Sequence, residues 1–378
     1  MLQKFIFIFT LIFPFIFVNN AHAIVNPLDK PNNKIGVHVF FPSEIYDASK
    51  LINSNGGDWG YITVPIQIND HDLNKWQVFM TETKKYHIIP ILRLATEHDP
   101  NNNGAWRKPT RNDMVDLANF LNKLSWPTQN RYIIVFNEVN RSDEWGGSVS
   151  PAEYANILSF TVAVFKSKSP DFFVISAGLD NAAPNIGNNY MNQYDFMYKM
   201  NSAVPGIFYQ VDGLASHSYP NPGFSQPPNA NSKMGVASFK FERNLAKDLA
   251  GKDLPIFITE TGWSNKNVSD DQRVTYYQQT LDTIWNDPSI VAVTPFIFDA
   301  RSGDFEKFSF RTATGSATEQ YSFFANLTKT KGEPAFPVKL AKVLAAETEN
   351  HSTEAVQVQE SQKSGFSFLN MIKNIFIR

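Results

Sequence analysis

The chain has 378 residues, a formal net charge of −2 and 19% charged side chains, a globular composition with no electrostatic footprint for nucleic acid. It contains no cysteine, which excludes a disulfide framework, a thiol nucleophile and a thiolate metal site. Stability must come from a large packed core.

The first residues, MLQKFIFIFTLIFPFIFVNNAHA, place Lys4 before an apolar run from Phe5 to Val18 and end on Ala21-His22-Ala23. A positive start, an apolar core and a small-residue cleavage site read as a signal peptide over residues 1–23, so the protein is expected to be exported: secreted, periplasmic or held at the cell surface. The same run is just short of a membrane span, and an uncleaved anchor is the alternative.

Eight β-rich runs follow, at 34–41, 59–68, 86–95, 131–138, 171–179, 211–219, 254–263 and 290–299. Most are continuous in apolar residues, the pattern of parallel strands covered on both faces. Between them lie amphipathic stretches such as Arg111–Leu124, Pro151–Lys166 and Gln272–Trp285. Ser150 and Ser269 stand where N-caps belong, with Pro151 at a first helical position and Gln272 completing a capping box. Strands alternating with helices predict a single (β/α)8 TIM barrel over residues 24–340. A doubly wound sheet would carry a glycine-rich phosphate turn, and neither GxGxxG nor GxxxxGK[ST] occurs, so no cofactor is expected. No internal repeat interrupts the pattern.

Residues 341–378 read as a polar linker and a short amphipathic tail. There Phe368, Ile372, Ile375 and Phe376 fall at roughly helical spacing beside Lys373 and Arg378. Such a tail suits contact with a membrane surface, or docking back onto the barrel. The sequence carries no signal for an oligomeric state.

In a barrel of this kind the chemistry gathers where the strands end. The fourth run closes on Glu138 (RYIIVFNEVNR, 131–141) and the seventh on Glu260 within LPIFITETGW. Two carboxylates across one mouth suit double-displacement glycoside hydrolysis, one attacking the anomeric carbon while the other protonates the leaving oxygen. The sixth run adds His217 and Tyr219 on one side by the period-2 rule. Tyr219 is placed to hold a Glu260 oxygen, and His217 to meet substrate hydroxyls or tune a carboxylate. Trp263 is a candidate for stacking on a sugar ring, and Asn137 for binding the hydroxyl beside the reacting carbon. Strict alternation turns Asn137 and Glu138 to opposite faces, so both reach the mouth only if the strand bulges or twists there. His38 ends the first run and either lines the mouth or packs in the core. Asp143 and Glu144 are rival acids, read as solvated loop charges. Trp106 and Trp145 are candidate outer sugar subsites, whereas Trp59, Trp76, Trp126 and Trp285 suit core or helix faces. No metal site is expected, because the seven histidines show neither HxH nor HExxH spacing.

FNE at 136–138, HSYP at 217–220 and ITETGW at 258–263 together resemble the clan A glycoside hydrolases, retaining (β/α)8 enzymes of cellulase, mannanase and xylosidase type. The likeness runs from about residue 34 to 340. It implies Glu138 as acid/base, Asn137 as the 2-hydroxyl ligand, Glu260 as nucleophile and Tyr219 as its hydrogen-bond partner. Two positions depart from the pattern. The usual arginine of the second strand is absent, leaving Arg93 on the third as the nearest candidate, and the eighth run carries Phe298 where a tryptophan platform is common. The expected function is hydrolysis of β-glycosidic bonds in an extracytoplasmic poly- or oligosaccharide. A catalytically silent carbohydrate-binding barrel at the cell surface is the alternative, told apart by turnover.

Overall fold

The computed structural model describes residues 24–337, so the stretches read as a signal peptide and as a linker with an amphipathic tail lie outside the described residues. Eight parallel strands form one sheet in sequence order: β1 (Gly36–His38), β2 (Gly60–Gln67), β3 (Ile88–Ala95), β4 (Arg131–Val135), β5 (Phe172–Ser176), β6 (Gly213–His217), β7 (Ile256–Glu260) and β8 (Ile290–Val293). A parallel bridge between Ile35 and Val293 joins the last strand to the first. The fold is a (β/α)8 barrel.

Two periodicities sort the core. Alternate strand residues such as Tyr61, Ile89, Ile91, Tyr132, Phe173 and Phe257 fill the lumen, and Ile24 and Leu28 pack against them. Their neighbours Ile62, Val64, Ile133 and Val174 face outward into a second core shared with the helices. Those helices are α1 (Ile45–Ile52), α2 (Leu73–Lys85), α3 (Arg111–Leu121), α4 (Pro151–Lys168), α5 (Gln193–Ala203), α6 (Ile207–Gln210), α7 (Ser238–Ala250), α8 (Asp270–Asp282) and α9 (Glu319–Asn326). The Ser150 side chain accepts from the Glu153 amide, and Ser269 with Gln272 forms the expected capping box. The strands are shorter than the apolar runs. β4 stops at Val135, and β8 at Val293 rather than residue 299. Beyond those points the chain leaves the ladder for the loops that carry the site.

A carboxyl group is buried inside this shell. Glu242 on α7 is 4% exposed and accepts from the Ser216 hydroxyl at 2.9 Å, beside a small cavity lined by Tyr154, Met197, Met200, Phe208 and Leu214. Burial pushes its carboxyl from 4.5 up to about 7, against the pull of Ser216 and Ser238. A folded-state value above the unfolded one gives stability that is complete below pH 4.5 and is lost as pH rises through about 7. The difference corresponds to about 3 kcal/mol at 1.36 kcal/mol per unit. Glu242→Gln keeps an acceptor for Ser216 without the charge. It is expected to melt higher than the parent at about pH 8 and to gain little near pH 4 in thermal melts. An equal shift at both values would show that the ionisation is not responsible.

Candidate active site

All the strand-end groups lie at the C-terminal mouth, and local backbone departures aim them inward. The Phe136 amide donates to the Ile134 carbonyl, and Phe136 and Glu138 take φ of +71° and +35°. These left-handed conformations are costly for side-chain-bearing residues. They break the alternation: Phe136 turns into the outer core against Trp145, while Asn137 and Glu138 both reach the mouth. A register shift does the same for β7. Ser216 pairs with Ile258 but His217 pairs with Glu260, so Thr259 is the extra residue and Glu260 turns inward. Gly178 makes room for the histidine, since a Cβ there would stand 2.2 Å from His217 Cδ2.

The two carboxylates are held by different partners. Glu260 Oε1 accepts from Arg93 Nη1 at 2.8 Å, and Oε2 accepts from the Tyr219 hydroxyl at 3.1 Å. The same Arg93 nitrogen donates to Asn137 Oδ1, tying β3, the turn after β4 and β7 together. Glu138 Oε1 accepts from His217 Nδ1 at 2.9 Å, and Oε2 from Arg141 Nη1 at 3.1 Å. His217 Nδ1 also stands 3.8 Å from Glu260 Oε2, so the imidazole lies between the two acids. One oxygen of Glu138, one of Glu260 and one nitrogen of His217 all lie within 4.8 Å of one another.

Charge follows from this packing. Burial would raise the Glu138 carboxyl, but the His217 hydrogen bond and the positive charges of His217, Arg141 and Arg93 outweigh it and hold it below the ordinary range. His217 shifts the opposite way: burial opposes its charge, yet Glu260 and Glu138 raise it above 6.5. The proton of the pair therefore rests on the imidazole, facing an ionised Glu138. Burial and both glutamates push the Tyr219 hydroxyl well above its usual range, so it remains a donor to Glu260.

Several expected positions are corrected. Trp263 is fully buried, its indole N–H donating to the Gln226 carbonyl and its ring packed on Tyr276, Tyr277 and Trp285; it presents no face to a sugar. Trp145 is 2% exposed between Phe136 and Tyr154, and so is a core residue rather than an outer subsite. Trp106 stands half-buried on His98, its amide donating to the Asp143 carbonyl on the Glu138 side of the mouth. His38 is fully buried, 3.8 Å from Glu260 Oε1, and burial with Arg93 and His217 holds it well below 6.5. It is a neutral ring beneath Glu260 and not a substrate contact. Phe298 is buried in the outer core; the aromatic beside the site is Phe296, whose ring lies 5.1 Å from that of His38 and whose amide donates to the Thr261 carbonyl. Spacing favoured Phe298 only because the eighth run was read as one unbroken strand.

One charged neighbour escaped the sequence reading, and another, Glu144, is less solvated than expected. Arg141 bridges Glu138 to Asp143 and Asp180, a contact made by the turn after β4. Asp143 is exposed as expected, but Glu144 is half-buried, and burial with the negative charge of Glu138 pushes it up to about 7. A carboxylate three residues before an arginine is a signal that could have found the first.

Glu138, His217 and Glu260 are also the one group among the described residues with donor atoms close enough to share a metal ion. The fit is poor. Arg93 and Arg141 already place guanidinium charge on the two carboxylates, and His217 Nδ1 is engaged with Glu138. A divalent ion would have to displace those contacts and sit among like charges. The arrangement suits a nucleophile and a proton-transfer group facing one reacting centre.

Residues 104–324 match the family described as the glycosyl hydrolase catalytic core. No curated protein matches the sequence. Among solved structures, a family 39 glycoside hydrolase from Bacteroides cellulosilyticus WH2 is similar with a TM-score of 0.55 at 16% identity, over 81% of this chain and 65% of that one. The chain thus spans just under two thirds of that neighbour. A family 128 (subgroup II) endo-β-1,3-glucanase from Pseudomonas viridiflava gives 0.50 at 16% identity, over 78% and 97%. A family 5 subfamily 18 variant from Streptomyces cattleya, in complex with Manβ1-4GlcNAc, gives 0.56 at 13% identity, over 79% and 80%. At such identities the likeness is one of fold.

Proposed function

The chain belongs to the glycosyl hydrolase catalytic core family, and on that premise we propose that it is a retaining glycosidase acting on a β-linked glycan outside the cytoplasm. Glycoside hydrolysis is the chemistry of the family; retention, the β-linkage and the assignment of residues are our reading. The observation that carries it is the short separation of the acids, with one oxygen of Glu138 and one of Glu260 within 4.8 Å. Retaining enzymes hold their carboxyl groups at about 5 Å, whereas inverting ones leave roughly 6.5 to 9.5 Å for a water between them.

In the first step a Glu260 oxygen attacks the anomeric carbon and forms an ester, while the bond to the leaving oxygen breaks and that oxygen takes a proton from Glu138. The resting Glu138 is held low, so the proton is supplied from the His217–Glu138 pair across their 2.9 Å contact. In the second step Glu138 accepts a proton from water, whose oxygen attacks the anomeric carbon and releases Glu260. Arg93 and Tyr219 hold the Glu260 carboxylate in one orientation throughout, and Asn137 is the ligand for the hydroxyl beside the reacting carbon. Export rests on Lys4, the Phe5–Val18 run and Ala21-His22-Ala23.

The test is stereochemical. Proton NMR during early turnover is expected to show the β-anomer of the new reducing end first, followed by slower mutarotation. First appearance of the α-anomer from a β-linked substrate would assign inversion and remove Glu260 from its nucleophilic role.

A further inference from the structure

Two large apolar rings stand in solvent at the catalytic end of the barrel, Phe41 at 64% exposure and Phe305 at 48%. Neither is isolated. Phe40 and Phe41 follow β1, and Phe296, Phe305 and Phe308 follow β8, so both loops rise from the mouth. Phe40 packs on Phe41 at 6.2 Å, on Phe305 at 5.8 Å and on Phe296 at 5.8 Å, while Phe296 meets Phe305 at 5.1 Å. The inner rings Phe296 and Phe308 are buried, and the outer ones are not. Apolar area left open over a buried aromatic base marks a binding surface more often than a packing accident.

The wall is continuous with the reacting centre on one side only. Its inner edge reaches His38, whose ring lies 5.1 Å from Phe296 and whose Nε2 lies 3.8 Å from Glu260 Oε1. Glu138 is anchored on the other flank by Arg141 from the loop after β4. The leaving group sits on the side of the proton donor, so the glycone chain runs away from Glu138, towards the wall. The wall is also fixed before any ligand arrives: Glu44 Oε2 accepts from the amides of Phe40 at 2.9 Å and Phe41 at 2.8 Å. A preset backbone lowers the cost of ordering a contact surface.

Taking the glycosidase reading as given, we propose that Phe40, Phe41 and Phe305 form a glycone-side subsite that stacks the second sugar, and those beyond it, of a β-linked chain. The occupant is a hexopyranose with equatorial hydroxyls, the gluco configuration. Its axial C–H groups meet a ring face without burying a hydroxyl, and phenylalanine offers no atom to pair with one. The enzyme would then read chain length and act on glycans in preference to single-sugar glycosides.

The experiment compares the parent with Phe40→Ala/Phe305→Ala and Phe40→Trp/Phe305→Trp on aryl β-glucosides carrying one, two or three glucose units. The parent is expected to gain about tenfold or more in kcat/KM from one unit to two, equivalent to 1.4 kcal/mol. The alanine variant should lose most of that gain and the tryptophan variant keep it. Because the readout is a ratio between substrates, a general loss of folded enzyme cancels. No gain in the parent, or an equal gain in the alanine variant, overturns the subsite. A second arm separates this failure from that of the glycosidase reading: calorimetric titration of Glu260→Gln protein with β-gluco-hexaose. If the parent cleaves no glycan of a broad panel, the glycosidase reading falls and this arm decides alone. Affinity lost by about tenfold or more on adding the two alanines supports the wall. Unchanged affinity, or no binding, overturns it.

Discussion

Glu260→Gln is expected to lower kcat by about four orders of magnitude or more on every substrate, because an amide oxygen cannot form the glycosyl ester. The change is nearly isosteric, so the fold should persist, with a modest loss where the amide N–H2 meets the donors Arg93 and Tyr219. Circular dichroism and a thermal melt would establish that the variant is folded. The shorter Glu260→Ala leaves space beside the anomeric carbon. Azide added to it should restore turnover on an activated aryl glycoside and give the α-azide, since the external nucleophile enters from the side Glu260 occupied. A variant retaining more than about one hundredth of parental kcat would take the nucleophile's role away from Glu260.

The second large effect is expected at Glu138, and it should depend on the substrate. Glu138→Ala removes the proton donor, which contributes roughly 10²- to 10⁴-fold when the leaving oxygen is a poor one. On a natural glycan kcat/KM should fall by about that range. On an aryl glycoside with an acidic phenol, which leaves without protonation, kcat/KM should fall far less. Turnover would then be limited by the second step, where the base is missing, and azide should accelerate it and give the β-azide. Equal losses on both substrates would show that Glu138 does not protonate the leaving group. In that event Glu144, poised at about 7 beside it, is the next acid to test.

Much of this was legible in the chain because its information is local. Apolar runs separated by capped amphipathic stretches imply parallel strands with crossover helices, and a glutamate closing such a run needs only its own sequence to be noticed. The order of β1 to β8 follows from short right-handed connections, so strand order could be written down before any contact was known. What failed did so at the ends of elements. His38, Trp145 and Trp263 carry side chains that would serve a sugar site well, yet neighbouring segments cover all three. Whether a strand-end aromatic is exposed depends on what packs over it, often from far along the chain, as Gln226 does for Trp263.

The sequence by itself determined the barrel, the strands that deliver the two glutamates and the absence of thiol chemistry, since each is written in local pattern or composition. Only the tertiary structure decided which side chains face the mouth. A one-residue shift at Thr259 and left-handed turns at Phe136 and Glu138 reverse the parity of side-chain direction, and no period-2 rule anticipates them. The structure also set the charge on Glu138. That depends on Arg93, Arg141 and His217 converging from three different segments, on distances of a few ångströms that sequence separation does not encode.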